Sequence, residues 1–180
     1  MTTGGYGPTA RLFHWITVLL VLGMVPAGVV MVQEGLDRTL QNQLFIFHKN
    51  VGVLVLVVVL ARLAWRAVTP PPPPPPTMPD WQKTTSAWVH RVLYGLLIFM
   101  AVSGYLRVTL GGFPIEALDA LGVPRPPRND TLAAMAQRAH FLGKFALMGV
   151  IALHVLAALW HGVAKRDGVF SRMWPPLPRQ

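Results

Sequence analysis

FLGKFALMGVIALHVLAALW, residues Phe141–Trp160, decides the fold. The run carries one charge, Lys144, near its start, and one histidine, His154. About 20 apolar residues rising 1.5 Å each cross the hydrocarbon of a bilayer as a helix. A second histidine, His140, stands immediately before the run. The two are fourteen residues apart. At 100° per residue that is about 40° short of four full turns, so both imidazoles leave nearly the same face, roughly 21 Å apart along the axis.

Three more apolar runs precede this one. Leu12–Val32 has no acid and no Lys or Arg, and holds His14 near its start. Leu44–Ala61 holds His48 near its start. Val92–Leu110 has a single charge, Arg107. The runs predict spans at about 10–32, 44–65, 87–110 and 131–164 in a single membrane domain covering 1–180. The fold class expected is all-α, an integral membrane four-helix bundle. Pro26, between Gly23 and Gly28, is a candidate kink. Asp130 is the expected N-cap of the fourth helix. The first run is longer than a signal h-region and no small-x-small site follows it, so it is expected to stay. Residues 1–9 are expected to fray.

Composition agrees. Of 180 residues, 53% are hydrophobic and 13% charged, so long charge-poor segments dominate. There is no cysteine, which excludes disulfides, thiolate-held iron–sulfur clusters and covalent c-type haem. The net charge of +9 is read as juxtamembrane topology anchoring, with no nucleic-acid partner. Four spans put both termini on one side. That side carries Arg11, Arg62, Arg66, Lys83, Arg91, Lys165, Arg166, Arg172 and Arg179. Arg38, Lys49, Arg107, Arg125, Arg128, Arg138 and Lys144 fall on the other. The richer side is expected to be cytoplasmic.

The inner connector, 69–79, contains seven consecutive prolines, Pro70–Pro76. Such a run forms a polyproline II strut or a docking peptide for a proline-reading domain. The outer loop is 111–130. Trp65 with Arg66, and Trp81 with Trp88, are expected interfacial anchors.

With that topology His14 and His154 share the inner depth, and His48 and His140 the outer. Ionisable groups within a span are functional candidates by default. Two imidazoles from different helices, facing each other, are what a low-spin b-type haem needs for its two axial positions. Bundles build such sites from facing helices. The layers therefore predict two haem b groups, with His14, His154, His48 and His140 on the iron. His161, on the face of His154, is an alternative ligand at the end of the span. Met24, Met100 and Met148 are better explained by packing. Gly52 and Gly143, each about one turn after a candidate ligand, would let a flat macrocycle approach. Arg62, Arg66 and Arg91 are candidate propionate partners inside, and Lys49, Arg138 and Lys144 outside. His90 and Tyr94, one turn apart with Arg91 beside them, form a candidate quinone site. Lys49, Arg138 and Lys144 also form a candidate outer patch for an anionic donor or a quinone.

The segments ARLFHW (Ala10–Trp15), HKNVGVLVLVVVLARLAWR (His48–Arg66), VHRVLYGLLIFMAVSGYL (Val89–Leu106) and ALHVLAALWHGVAKRDGVFSRM (Ala152–Met173) resemble the bacterial cytochrome b561 family. Its members are small four-helix di-haem membrane cytochromes. The resemblance covers most of the chain and implies the same histidine pairing, a bacterial inner-membrane location and exchange of electrons with a quinone such as ubiquinone. Many relatives carry two adjacent histidines where this chain has Trp160 and His161.

The leading expectation is electron transfer between an outer-side partner and the quinone pool. Family members include superoxide oxidases, so superoxide is a candidate donor and the chain is either an oxidoreductase or a pure electron carrier. A second reading is a haem-bearing anchor subunit for a periplasmic dehydrogenase. A third, a His-lined metal transporter, calls for carboxylates within the spans, and none of the seven acids falls in the four apolar runs.

Overall fold

The computed structural model describes residues 4–174 and is all-helical over them. Four long helices, α1 (Pro8–Val30), α2 (Arg38–Val68), α3 (Asp80–Leu110) and α5 (Asp130–Leu159), are each long and apolar enough to cross a membrane. A five-residue helix, α4 (Glu116–Ala120), lies between α3 and α5. A π-helical turn, Trp160–Lys165, continues α5 and a short 3-10 turn, Phe170–Arg172, follows. The helices α3 and α5 pack together, as do α1 and α2, and α2 joins the two pairs through α3.

Helix ends are set by capping chemistry, which lengthens three helices beyond their apolar runs. Asp37 caps α2 by accepting from the Leu40 N–H at 3.0 Å, so α2 starts at Arg38 rather than near Leu44. Proline opens α1 at Pro8, where its missing N–H costs nothing. Pro79 precedes Asp80, and that acid sits in the first turn of α3, where the helix dipole favours it. α1 continues through Pro26 to Val30. The expected cap of α5 is corrected. Asn129, in extended backbone, accepts from the Leu132 N–H at 3.0 Å, and Asp130 is already helical and paired with Arg128.

Val55, Val59, Leu97 and Leu147 form the buried centre, with Leu20, Met24 and Tyr94 packed around it. Leu147 lies midway in sequence between His140 and His154, so the apolar centre separates the two histidine depths. Large apolar side chains cover the outside, Leu19 at 67% and Leu142 at 66% exposure among them. Water penalises such a surface, whereas lipid accepts it.

The terminal end is stapled. Arg172 donates to the carbonyls of Pro72 and Pro73 at 2.8 Å each and to that of Gly4 at 3.0 Å. The Tyr6 N–H returns to the Arg172 carbonyl at 3.2 Å, and Trp15 Nε1 donates to the Met173 carbonyl at 3.0 Å. The segment before α1 is thus held in place from Gly4 on, and the proline run is gripped through its backbone. Arg179 lies outside the described residues. All six tryptophans fall towards this end, as suits a membrane interface.

At the far end α4 is pinned to α2. Lys49 donates to Glu116 and to the Pro114 carbonyl, both at 2.8 Å. Asn50 donates to Glu116 at 2.6 Å and accepts from the Ala117 N–H at 2.7 Å. Burial pushes the Glu116 carboxyl up, but the bonds from Lys49 and Asn50 outweigh this and hold it below its ordinary value.

Candidate functional site

Two histidine pairs face each other across helices. His48 of α2 and His140 of α5 have ring centres 6.2 Å apart, with planes at 85°. His14 of α1 and His154 of α5 have ring centres 6.3 Å apart, with planes at 75°. Two metal–imidazole bonds of about 2 Å, with half a ring on each side, call for a separation of roughly 6 Å. Among the described residues neither α1 nor α2 packs closely against α5. The helices that carry each pair are therefore held apart while their imidazoles reach towards each other.

The far pair fits an axial haem pair more completely. Nδ1 of His140 lies 3.0 Å from the Met100 carbonyl, which only accepts, so Nδ1 carries the hydrogen and Nε2 is bare. A metal-binding histidine is commonly tied this way. Ser103 Oγ lies 3.1 Å from the same nitrogen. Both rings rest against glycine. A Cβ at Gly104 would come 3.1 Å from Cε1 of His140, and one at Gly28 would come 2.8 Å from Cε1 of His48. Gly52 and Gly143 serve other purposes. Gly52 faces the Met24 methyl, and a Cβ at Gly143 would strike Phe99 and Met100 at under 3 Å, so these glycines close helix contacts.

The near pair includes a third ring and an arginine. His90 of α3 lies 5.2 Å from His154, and its Nδ1–H donates to the Ser86 carbonyl at 2.6 Å. Arg62 donates to Nδ1 of His14 at 3.1 Å and lies 5.3 Å above the Tyr94 ring. Neutral His14 therefore carries its hydrogen on Nε2 in this arrangement, and ligation through Nε2 requires the ring to turn or Arg62 to release it.

The remaining expected residues separate. Lys49 is committed to Glu116 and Pro114, so it is not a free cation for a propionate. Arg91 is exposed and stacks on Trp88 at 5.1 Å, which makes it an outward anchor. Arg66 and Arg138 are exposed. Lys144 lies over Phe141 and Phe145, its ammonium 4.2 and 4.8 Å from the ring centres. His161 is paired with Asp167 at 2.6 Å and touches Trp160, so its Nδ1 is committed to a carboxylate. Burial pushes the Asp167 carboxyl up, and the bonds from His161 and the Val169 N–H more than offset it, leaving it below its ordinary value.

Several positions that shape the candidate site escaped the sequence reading. Gly28, Gly104 and Ser103 act on histidines of other helices, and no local pattern announces that. Arg107 stood out as the single charge of its run, but the sequence reading gave it no role in the site.

The prokaryotic cytochrome b561 family matches residues 5–176. The chain is 29% identical over 174 residues to cytochrome b561 homolog 2 of Escherichia coli (strain K12), across 93% of this chain and 90% of that protein. This likeness replaces the metal-transporter reading. The chain belongs to the prokaryotic cytochrome b561 family, multi-pass proteins of the bacterial inner membrane that carry b-type haem and transfer electrons.

Proposed function

We propose that the chain is a di-haem electron carrier that moves electrons between a partner on the far side of the membrane and the quinone pool. Both termini are cytoplasmic in this reading. His48 and His140 hold one haem b, and His14 and His154 the other. Each haem supplies a reversible one-electron centre. The observation that carries the reading is the pair of cross-helix imidazole spacings, 6.2 and 6.3 Å, at two depths.

Arg62 stands among the near pair, where its guanidinium can turn from His14 to a carboxylate. A quinone at the terminal end would meet His90, whose Nδ1–H is fixed on Ser86 and whose Nε2 would donate to a quinone oxygen once protonated or accept from a quinol hydroxyl. Tyr94, one turn further along α3, packs on the apolar centre beneath Arg62 and supports that wall. On the far side an anionic donor such as superoxide would meet Arg138 and Lys144 rather than Lys49, which is committed to Glu116.

The test of the quinone assignment is His90→Ala, assayed with a soluble quinone while both haem spectra are recorded. Turnover should fall with haem content intact. Unchanged turnover with intact haems would remove His90 from the reaction.

A further inference from the structure

Arg107 is the one charge in the apolar part of α3, and among the described residues it forms no ion pair. A guanidinium at the edge of a membrane core is costly without an anion beside it. It opens onto a groove of about 440 Å³ between the outer ends of α3 and α5, lined also by Arg128, Asp130, Ala133 and Gln137. The acid in this groove, Asp130, is already bonded to Arg128 at 2.8 Å. The groove therefore presents an unmatched positive charge.

Its place is set by both helices. Arg107 lies one turn beyond Gly104, and Gly104 seats the ring of His140. Gln137 lies one turn before His140 on α5. The groove thus sits one turn outward of the far histidine pair on each wall.

We propose that this groove binds a carboxylate, and that the carboxylate is a propionate of the haem held by His48 and His140, with Arg107 as its counter-ion. The inference rests on the di-haem reading above. Arginine suits this task because its planar fork takes both oxygens of a carboxylate and stays charged at every working pH. A cation near one haem also favours its reduced form, since reduction lowers the positive charge on iron.

The test is Arg107→Gln and Arg107→Lys in the intact, haem-loaded protein, with haem counted per chain and both midpoint potentials measured by spectral titration. Arg107→Gln should lower one midpoint and leave the other unchanged, and Arg107→Lys should recover part of the shift. Arg125→Gln, which lies outside the groove and whose charge is matched by Asp119, should move neither midpoint. If Arg107→Gln fails to retain one haem, Arg107→Lys decides: haem restored by the lysine charge is the expected result, and haem lost from Arg107→Lys to the same extent contradicts the proposal. Full haem content with both midpoints unchanged in both Arg107 variants overturns it while leaving the di-haem reading intact. A change confined to the rate with a free anionic reactant also overturns it. A wild-type chain with no haem at His48 and His140 overturns the reading beneath it.

Discussion

Gly28 of α1 lies so close to His48 of α2 that a Cβ would come 2.8 Å from Cε1 and 3.2 Å from Nδ1 of the ring. Gly104 of α3 stands in the same relation to His140, at 3.1 and 3.3 Å. Two helices that contribute no imidazole to this pair thus shape the seats of the two rings that face each other. Gly28→Ala must push the His48 ring aside and should lower occupancy or alter the spectrum of one haem only. Gly104→Ala should affect the same haem more mildly. Gly149→Ala meets nothing within 4 Å and serves as the control. Haem counted against protein checks this, and equal occupancy in Gly28→Ala and Gly149→Ala would contradict it.

The pairing of ligands makes a separate prediction. His48→Ala and His140→Ala should remove one haem, and His14→Ala and His154→Ala the other. His161→Ala should keep both, because His161 is bonded to Asp167 rather than facing another imidazole. Low-temperature absorption spectra resolve the two. Loss of a haem in His161→Ala together with full haem in His154→Ala would reassign the ligand on α5.

The staple at the terminal end has a mechanical consequence. Arg172→Ala removes three bonds from one guanidinium to the carbonyls of Gly4, Pro72 and Pro73. A charge-assisted bond contributes on the order of 2 kcal/mol. The variant should melt earlier and be cut faster within 69–79, while His48 and His140 keep their haem. Cleavage at the wild-type rate would mean the proline strut stands without Arg172.

The anchor of α4 responds to acid. Glu116 has a folded-state carboxyl held below its ordinary value, so its ionised form contributes stability at neutral pH. That contribution is complete above the ordinary carboxylate range and is lost as pH falls through the lower folded value. Amide exchange in 114–120 should therefore accelerate in acid, and Glu116→Gln should show fast exchange already at neutral pH. Exchange independent of both changes would remove the Lys49–Glu116 pair from the account.

Much of this architecture was legible in the chain. Lipid imposes long charge-free runs, so the four spans and the lone histidines within them stood out, and fourteen residues between His140 and His154 fixed their common face. Helix ends were less legible, because Asp37, Pro79 and Asn129 extend or start helices from outside the apolar runs. The short α4 could not be read locally, since Lys49 and Asn50 hold it from far along the chain. For the same reason Lys49 looked like a free cation until Glu116 was placed beside it. His90 was expected at the same end as His154, but only the packing of α3 on α5 brings the rings to 5.2 Å.

The central claim is that two imidazole pairs hold two haems. Its most direct measurement is haem and iron counted per purified chain, with a reduced-minus-oxidised spectrum taken before and after acid–acetone extraction. The account predicts two low-spin b-type haems per chain, both removed by extraction because the chain has no cysteine to retain them. A single haem, iron absent from the chain, or haem that survives extraction would contradict it.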